Sequence, residues 1–446
     1  MIAAPFISRA RRAAVAVPVI ALLTLAGCAD NKPAASGSGD QAAGEPQVIT
    51  VNMTDGDCSI SSASFPSGVV TFNITNNGSV PNEFEVLTEN KLQIVSEQEN
   101  IGPGTTASLT TALDEGTYFT ACKPNMVGAL IGVTEVKVTK GESVAVSEDV
   151  QKLEEEAVTN YTAYVRDQVG QLLTATEAFA AAYTAGDMDK ARELFPLARQ
   201  HYERIEPTAE AFGLEEAGDL DAAMDLRIQD LAADAGKSVT DPEVINGWTG
   251  WHRIEADLWA PSPDSPFVMK SEADRKAAAD DLVENTQKLY DLVYGKIDGP
   301  GGKFELSLTD VATGAAALLE EVSNSKIVGE EETFSHTDLY DFKANVEGAE
   351  VAYGNVEAIV EKNNPELAKT ITEQFEAVNE LLAKYETGTT ADGATTYRDY
   401  SEIASVQDGA GEAPDASSYT KEQKQLSDAV NALSESLSQV AGTVLH

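Results

Sequence analysis

Between residues 48 and 140 apolar and polar side chains alternate with period two, as in strands that bury one face. Val70, Phe72 and Ile74 point one way and Thr71, Asn73 and Thr75 the other, before a turn at Asn76-Asn77-Gly78. The alternation also predicts strands near 84–88, 92–96, 105–109, 117–122 and 131–139, with turns at Pro66-Ser67-Gly68 and Gly102-Pro103-Gly104. About seven short strands in so short a stretch predict an all-β, antiparallel Greek-key sandwich over 47–140. After Gly141 apolar residues recur at helical spacing among abundant Ala, Glu, Gln and Leu. They predict nine helices, at 148–184, 188–206, 220–235, 242–259, 271–297, 305–325, 336–362, 365–385 and 420–444. Short loops between them make 147–446 an all-α helical bundle. A turn, a long helix and a closing Tyr-Glu occur at both 186–203 and 364–386, a faint internal self-similarity.

The first residues break both patterns. Arg9, Arg11 and Arg12 precede an apolar run over 13–25, too short for a comfortable membrane span. The run ends in Leu25-Ala26-Gly27-Cys28, which resembles a bacterial lipobox. That resemblance implies a lipoprotein signal over 1–27, lipidation of Cys28 and a protein anchored at the outer face of the cytoplasmic membrane, facing the periplasmic space. Residues 28–46, rich in Ala, Gly and Ser, read as a flexible tether.

Charge changes the picture next. The 446 residues carry 31 Lys and Arg against 73 Asp and Glu, a formal net charge of −42. Nucleic-acid binding needs clustered Lys and Arg, so that class is excluded. An acidic surface collects cations, which makes metal ions the first ligand class to consider. Removal of residues 1–27, with three arginines and no acid, leaves −45. Residues 29–146 hold 14 acidic and 5 basic side chains, so −36 falls on the helical part.

Candidate ligands lie in both domains. With Cys28 lipidated, Cys58 and Cys122 remain, and outside the cytoplasm a pair forms a disulfide or, alternatively, supplies two thiolate ligands. The loop Cys122-Lys-Pro-Asn-Met126 resembles the ligand loop of a cupredoxin. A blue-copper site also needs two His, and the histidines here are His201, His252, His336 and His446, all beyond the sandwich. Glu83 and Glu85 share a strand face and are expected to bring carboxylates beside Cys122, a mixed donor set for iron or copper. Asp55 and Asp57 read as turn residues or weak cation ligands.

In the helical part, Gly250-Trp251-His252-Arg253-Ile254-Glu255 places His252 and Glu255 at i and i+3, on one helix face. An imidazole and a carboxylate so placed can ligate one cation in a bundle where several helices point donors inward. Glu203 and Glu206 also share a face, whereas His201 sits about 140° or more away from either. Ser335 and Asp338 stand at capping-box spacing, which predicts a helix start with His336 in its first turn.

Three separated segments, 200–207, 250–255 and 335–348, together with the order sandwich then bundle, resemble the EfeO family, the exported cupredoxin plus imelysin-type components of bacterial EfeUOB iron-uptake systems. The resemblance implies a metal site on His252 and Glu255, with Glu203, Glu206 and Asp225 as further carboxylate ligands. It maps the family's cupredoxin-domain ligands onto Cys58, Glu83 or Glu85, and Cys122. It also implies a membrane iron permease and a Dyp-type haem peroxidase as partners. The expected function is capture of ferrous or ferric iron and its delivery to the permease. Donor type alone also admits copper or zinc. Two alternatives stand beside this reading: an HxxE metallopeptidase, and a redox module that oxidises iron through the sandwich. The motif is not HExxH, and with Glu255 needed as a ligand no general base remains, so no enzymatic activity is expected.

Overall fold

A computed structural model describes residues 47–446 except 90, 92–93, 114, 125–129, 142–147, 208–219, 300–301, 325, 410, 412 and 446. The signal, Cys28 and the tether therefore lie outside the described residues, as does Met126. Among the described residues nine strands build the first domain: β1 (Gln47–Met53), β2 (Cys58–Ile60), β3 (Ser64–Pro66), β4 (Gly68–Asn76), β5 (Asn82–Leu87), β6 (Ile94–Ile101), β7 (Thr106–Leu113), β8 (Gly116–Pro124) and β9 (Ile131–Thr139). They form two sheets, ordered β2-β1-β4-β7 and β3-β9-β8-β5-β6. The sandwich is not wholly antiparallel as expected. The chain crosses to the second sheet as β3 before returning as β4, so β1 pairs with β4 in parallel, and β3 with β9 likewise. Alternation does its predicted work in β4, where Val70, Phe72 and Ile74 enter the core with Ile49, Val51, Phe84 and Val136. Strand β5 is buried on both faces, one of them against this core.

The second domain is helical: α1 (Glu148–Thr184), α2 (Met188–Glu203), α3 (Leu220–Asp225), α4 (Ile228–Ala235), α5 (Pro242–Gly247), α6 (Gly250–Leu258), α7 (Glu272–Val293), α8 (Leu308–Asn324), α9 (Asp338–Asn363), α10 (Pro365–Leu382), α11 (Lys421–Leu437) and α12 (Val440–Val444). Caps follow the sequence: Asp187, Ser271 and Asn364 each accept a backbone N–H of the helix they open. The long α1 packs on α2 and α7, and α9 packs on α8, α10, α2 and α1, enclosing one large apolar core. Strands β6 and β7 lie against α8 and α12. A hairpin, β10 (Glu386–Thr389) with β11 (Thr395–Tyr397), interrupts the bundle and carries no strong apolar alternation.

Three predicted helices are broken, and two of the breaks shape the site. The segment 220–235 divides after Asp225, and 242–259 divides at Trp248 and Thr249, while 420–444 divides at Ser438 and Gln439. Gly250 sits at φ 84°, where a Cβ would lie 2.1 Å from the Met224 carbonyl oxygen. Only glycine permits that approach, which brings the start of α6 against the end of α3.

Candidate metal centre

Five chain segments bring acidic side chains to one buried place: the end of α2, the end of α3, the first turns of α6, the loop 326–337 and the start of α9. Glu203, Glu206, Asp225, His252, Glu255, Glu331, Glu332, Asp338 and Asp341 are each at most 7% exposed. His252 faces carboxylates with both ring nitrogens. Nε2 lies 3.3 Å from Asp225 Oδ1 and 3.1 Å from Glu331 Oε1. Nδ1 lies 3.4 Å from Glu255 Oε2. Glu255 is itself held, because its Oε1 accepts the backbone N–H groups of Phe334 at 2.9 Å and Ser335 at 2.7 Å. A carboxylate that fixes one imidazole nitrogen orients the other toward a metal. Glu255 thus holds His252, and two donor groups share this imidazole, one with Asp225 and Glu331 and one with Glu255 and Glu332, the ligand atoms of each lying within 4.8 Å of one another; the Asp225 and Glu331 oxygens that face Nε2 also accept from Arg199.

Two permanent cations sit among these acids. Arg199 is fully buried and pairs with Asp225, Glu203, Glu331 at 2.8 Å and Glu332 at 2.6 Å. Lys326, also fully buried, pairs with Glu203 at 2.8 Å and Glu206 at 2.6 Å. Burial pushes a carboxyl upward, and the neighbours decide which ones resist. Asp225 falls to about 2 because Arg199 and His252 outweigh its burial. Glu331 is likewise held well below its ordinary range by Lys326, His252 and Arg227. Glu332 and Asp341 go well above theirs through burial, reinforced by Glu255 and Glu203 respectively. Burial takes Asp338 to about 8. Burial opposes a charged His252, yet Asp225 and Glu255 prevail and hold it well above its ordinary range. Carboxylates therefore outnumber buried cations, and the two most firmly ionised acids are the two beside Nε2.

The structure brings together His252, Glu255, Glu203, Glu206 and Asp225, and adds Glu331, Glu332, Arg199 and Lys326. Glu331 and Glu332 belong to the run Glu330-Glu331-Glu332 on a loop without periodicity, where acids read as solvated surface. Arg199 was the readable signal, since it stands at i−4 from Glu203 on the same helix face. His201 stays outside the centre, bonded to Gln168 and lowered to about 4 by burial and Arg204. Ser335 and Asp338 do not form the expected capping box. Helix α9 starts at Asp338, the Ser335 hydroxyl bonds Glu332, and His336 lies at φ 55° in the turn that aims the 334 and 335 N–H groups at Glu255.

The sandwich constellation is corrected. Cys58 and Cys122 form a disulfide inside the core, so neither sulfur is available to a metal and the thiolate-ligand reading fails. Gly132 lines it closely, at φ 60° with a Cβ position 2.4 Å from Cys58 Cβ. Phe84, not a glutamate, stands directly across from Cys122. Glu83 and Glu85 therefore project from the opposite face of the sheet, where they cannot ligate beside Cys122. There Glu85 lies opposite Glu97, which burial and Glu85 together raise to about 7.

Two family models agree with this architecture. The imelysin family model matches residues 157–441, and a cupredoxin-like domain model matches 16–131. An iron uptake system component EfeO from Escherichia coli O157:H7 is 37% identical over 358 residues, covering 80% of this chain and 85% of the relative. The protein of the same description from Escherichia coli strain K12 is 36% identical over the same length. The crystal structure of an imelysin-like protein from Psychrobacter arcticum 273-4 aligns with 66% of this chain and 95% of that one, at 14% identity and a TM-score of 0.37.

Proposed function

Since the chain belongs to the imelysin family, we propose that it is the exported iron-binding component of a bacterial iron-uptake system, which captures Fe²⁺ or Fe³⁺ and delivers it to a membrane iron permease. The observation that carries this reading is His252 Nε2 flanked by Asp225 and Glu331, with Glu255 fixing the ring from behind. One imidazole with carboxylate oxygens and no sulfur suits iron, and also accepts zinc or copper. The iron uptake named for the relatives favours iron among these. A Dyp-type haem peroxidase is the further partner that the family resemblance implies. Lipidation at Cys28 would hold the protein at the outer face of the cytoplasmic membrane; among the described residues no helix is long and apolar enough to cross one.

The protein acts as a carrier and not as a peptidase. Hydrolysis would need a free base beside the metal, and both oxygens of Glu255 are already engaged. The test is anaerobic loading with Fe²⁺ followed by desalting and metal analysis. The expected result is iron retained by the protein and lost from His252→Ala and Asp225→Asn. Equal iron in all three, or none in the unaltered protein, would contradict the reading.

A further inference from the structure

Beside the His252 position the centre holds a second constellation with the donors of a cation site. Glu203, Glu206, Asp225 and Glu331 each place a carboxylate oxygen within 4.8 Å of the others, and all four are buried. By donor count this is the richer of the two positions, yet it already contains a cation. The Lys326 ammonium lies 2.8 Å from Glu203 Oε2, 2.6 Å from Glu206 Oε2 and 3.3 Å from Glu321 Oε2. An ammonium has three N–H donors, and here it donates to Glu203 and Glu206 with Glu321 and Glu331 at ion-pair distance.

The position of that ammonium is built by its surroundings. Lys326 opens the short 3-10 turn Lys326–Val328. The next residue is clamped through its carbonyl, which accepts Tyr400 Oη at 2.9 Å and Gln423 Nε2 at 2.7 Å. Gly329 closes the turn at φ 69°, where a Cβ would meet Val406 at 2.8 Å. A lysine rooted in so constrained a backbone, with no exposed side-chain surface, is aimed at the acids rather than free to wander. The acids are committed in return. Glu203 pairs through Oε1 with Arg199, and through Oε2 with Lys326 and with Asn345 Nδ2 at 3.1 Å. Glu331 lies 3.9 Å from Lys326 and turns its other oxygen to His252.

We infer that Lys326 is a tethered cation filling the second cation position, so that the chain takes one metal ion, at His252, where the same acids without the lysine would take two. Paired metal sites place their ions about 3.5–4 Å apart across shared carboxylates. Asp225 and Glu331 belong to both donor groups here; Glu331 reaches from His252 to the ammonium, Asp225 pairs with Arg199, and the ammonium stands in for the second ion with one positive charge instead of two. This inference rests on the proposed metal-binding function, but it concerns the count of ions and not their presence.

The experiment compares Fe²⁺ retained per chain after anaerobic loading of the full protein, Lys326→Met, Lys326→Arg and the double variant Lys326→Met/Glu206→Gln. The expected counts are one, two, one and one. An unaltered protein that binds two ions, or a folded Lys326→Met that binds no more ions than the unaltered protein, overturns the inference while leaving iron binding intact. An unaltered protein that binds none fails the proposed function instead, and the gain of one ion in Lys326→Met still reads out the inference. If Lys326→Met folds only with Fe²⁺ present, shown by a melting temperature that rises with the ion far more than in the unaltered protein, the inference stands. If Met abolishes folding at every Fe²⁺ concentration, Lys326→Gln is loaded in its place, and a count no higher than that of the unaltered protein overturns the inference.

Discussion

In the sandwich, Glu83 and Glu85 leave the opposite face of the sheet from Cys122, while in the bundle His252 and Glu255 leave the same face of α6, where His252 meets acids from two other segments. Both sets carried donor residues at suggestive spacing. The difference lies in what the neighbours do. A strand's alternation fixes each side chain to one of two faces, and the pairing of Phe84 with Cys122 settles which. A helix offers a whole stripe, and a break such as Gly250 can turn that stripe onto donors far away in the chain. Spacing within one element therefore predicts a site only as well as the element's register with its surroundings is known.

The disulfide should separate the two regions most strongly. Replacing Cys58 and Cys122 together by Ser opens a loop of 64 residues and is expected to cost about 4 kcal/mol of sandwich stability. Iron bound per chain should not change. Denaturant unfolding and metal analysis of one sample check both, and loss of iron with the sandwich still folded would return a metal role to the cysteines.

Glu255→Gln comes next. Its oxygen is claimed by the Phe334 and Ser335 N–H groups, so the amide must turn its NH₂ toward His252 Nδ1. That moves the ring proton to Nε2, the nitrogen the ion needs. Iron affinity should fall by about 10–100-fold, the usual effect of losing such a supporting carboxylate. Titration calorimetry measures it, and an unchanged affinity would remove Glu255 from this role. Glu83→Gln and Glu85→Gln, measured in the same way, should leave affinity unaltered.

The bundle site was legible in outline. The i and i+3 spacing of His252 and Glu255, and the shared face of Glu203 and Glu206, can be read from helix period alone. Asp225 came from family resemblance and sits 3.3 Å from His252 Nε2. Glu331 and Lys326 were not legible, because both lie in a loop where no period reports which way a side chain turns. Alternation in β4 assigns its faces but not the parallel pairing of β1 with β4, since period two reports faces and is silent on strand direction. The division at Trp248 was missed for a similar reason: its apolar neighbours continue the helical spacing, and only the approach of Met224 to Gly250 reveals the break.

The smallest effect concerns the junction between the two regions. Burial raises Glu97 to about 7, helped by Glu85, and Glu320, bonded to Gln98, to about 7. Both ordinarily titrate near 4.5, so the folded chain holds their protons more tightly than the unfolded one. Their contribution is complete below pH 4.5 and is lost as pH rises through about 7. The melting temperature should fall between pH 5 and pH 8, by about 2–4 °C for each kcal/mol so lost. Glu97→Gln with Glu320→Gln should flatten that slope, and an identical slope in the variant would contradict the assignment.

The most direct measurement is an anomalous-scattering map from crystals loaded with iron. It should show a single peak within bonding distance of His252 Nε2, ligated by Asp225 and Glu331, with Lys326 still between Glu203 and Glu206. A peak on the Nδ1 side shared with Glu255, or one in the sandwich beside Glu83 and Glu85, would contradict the account.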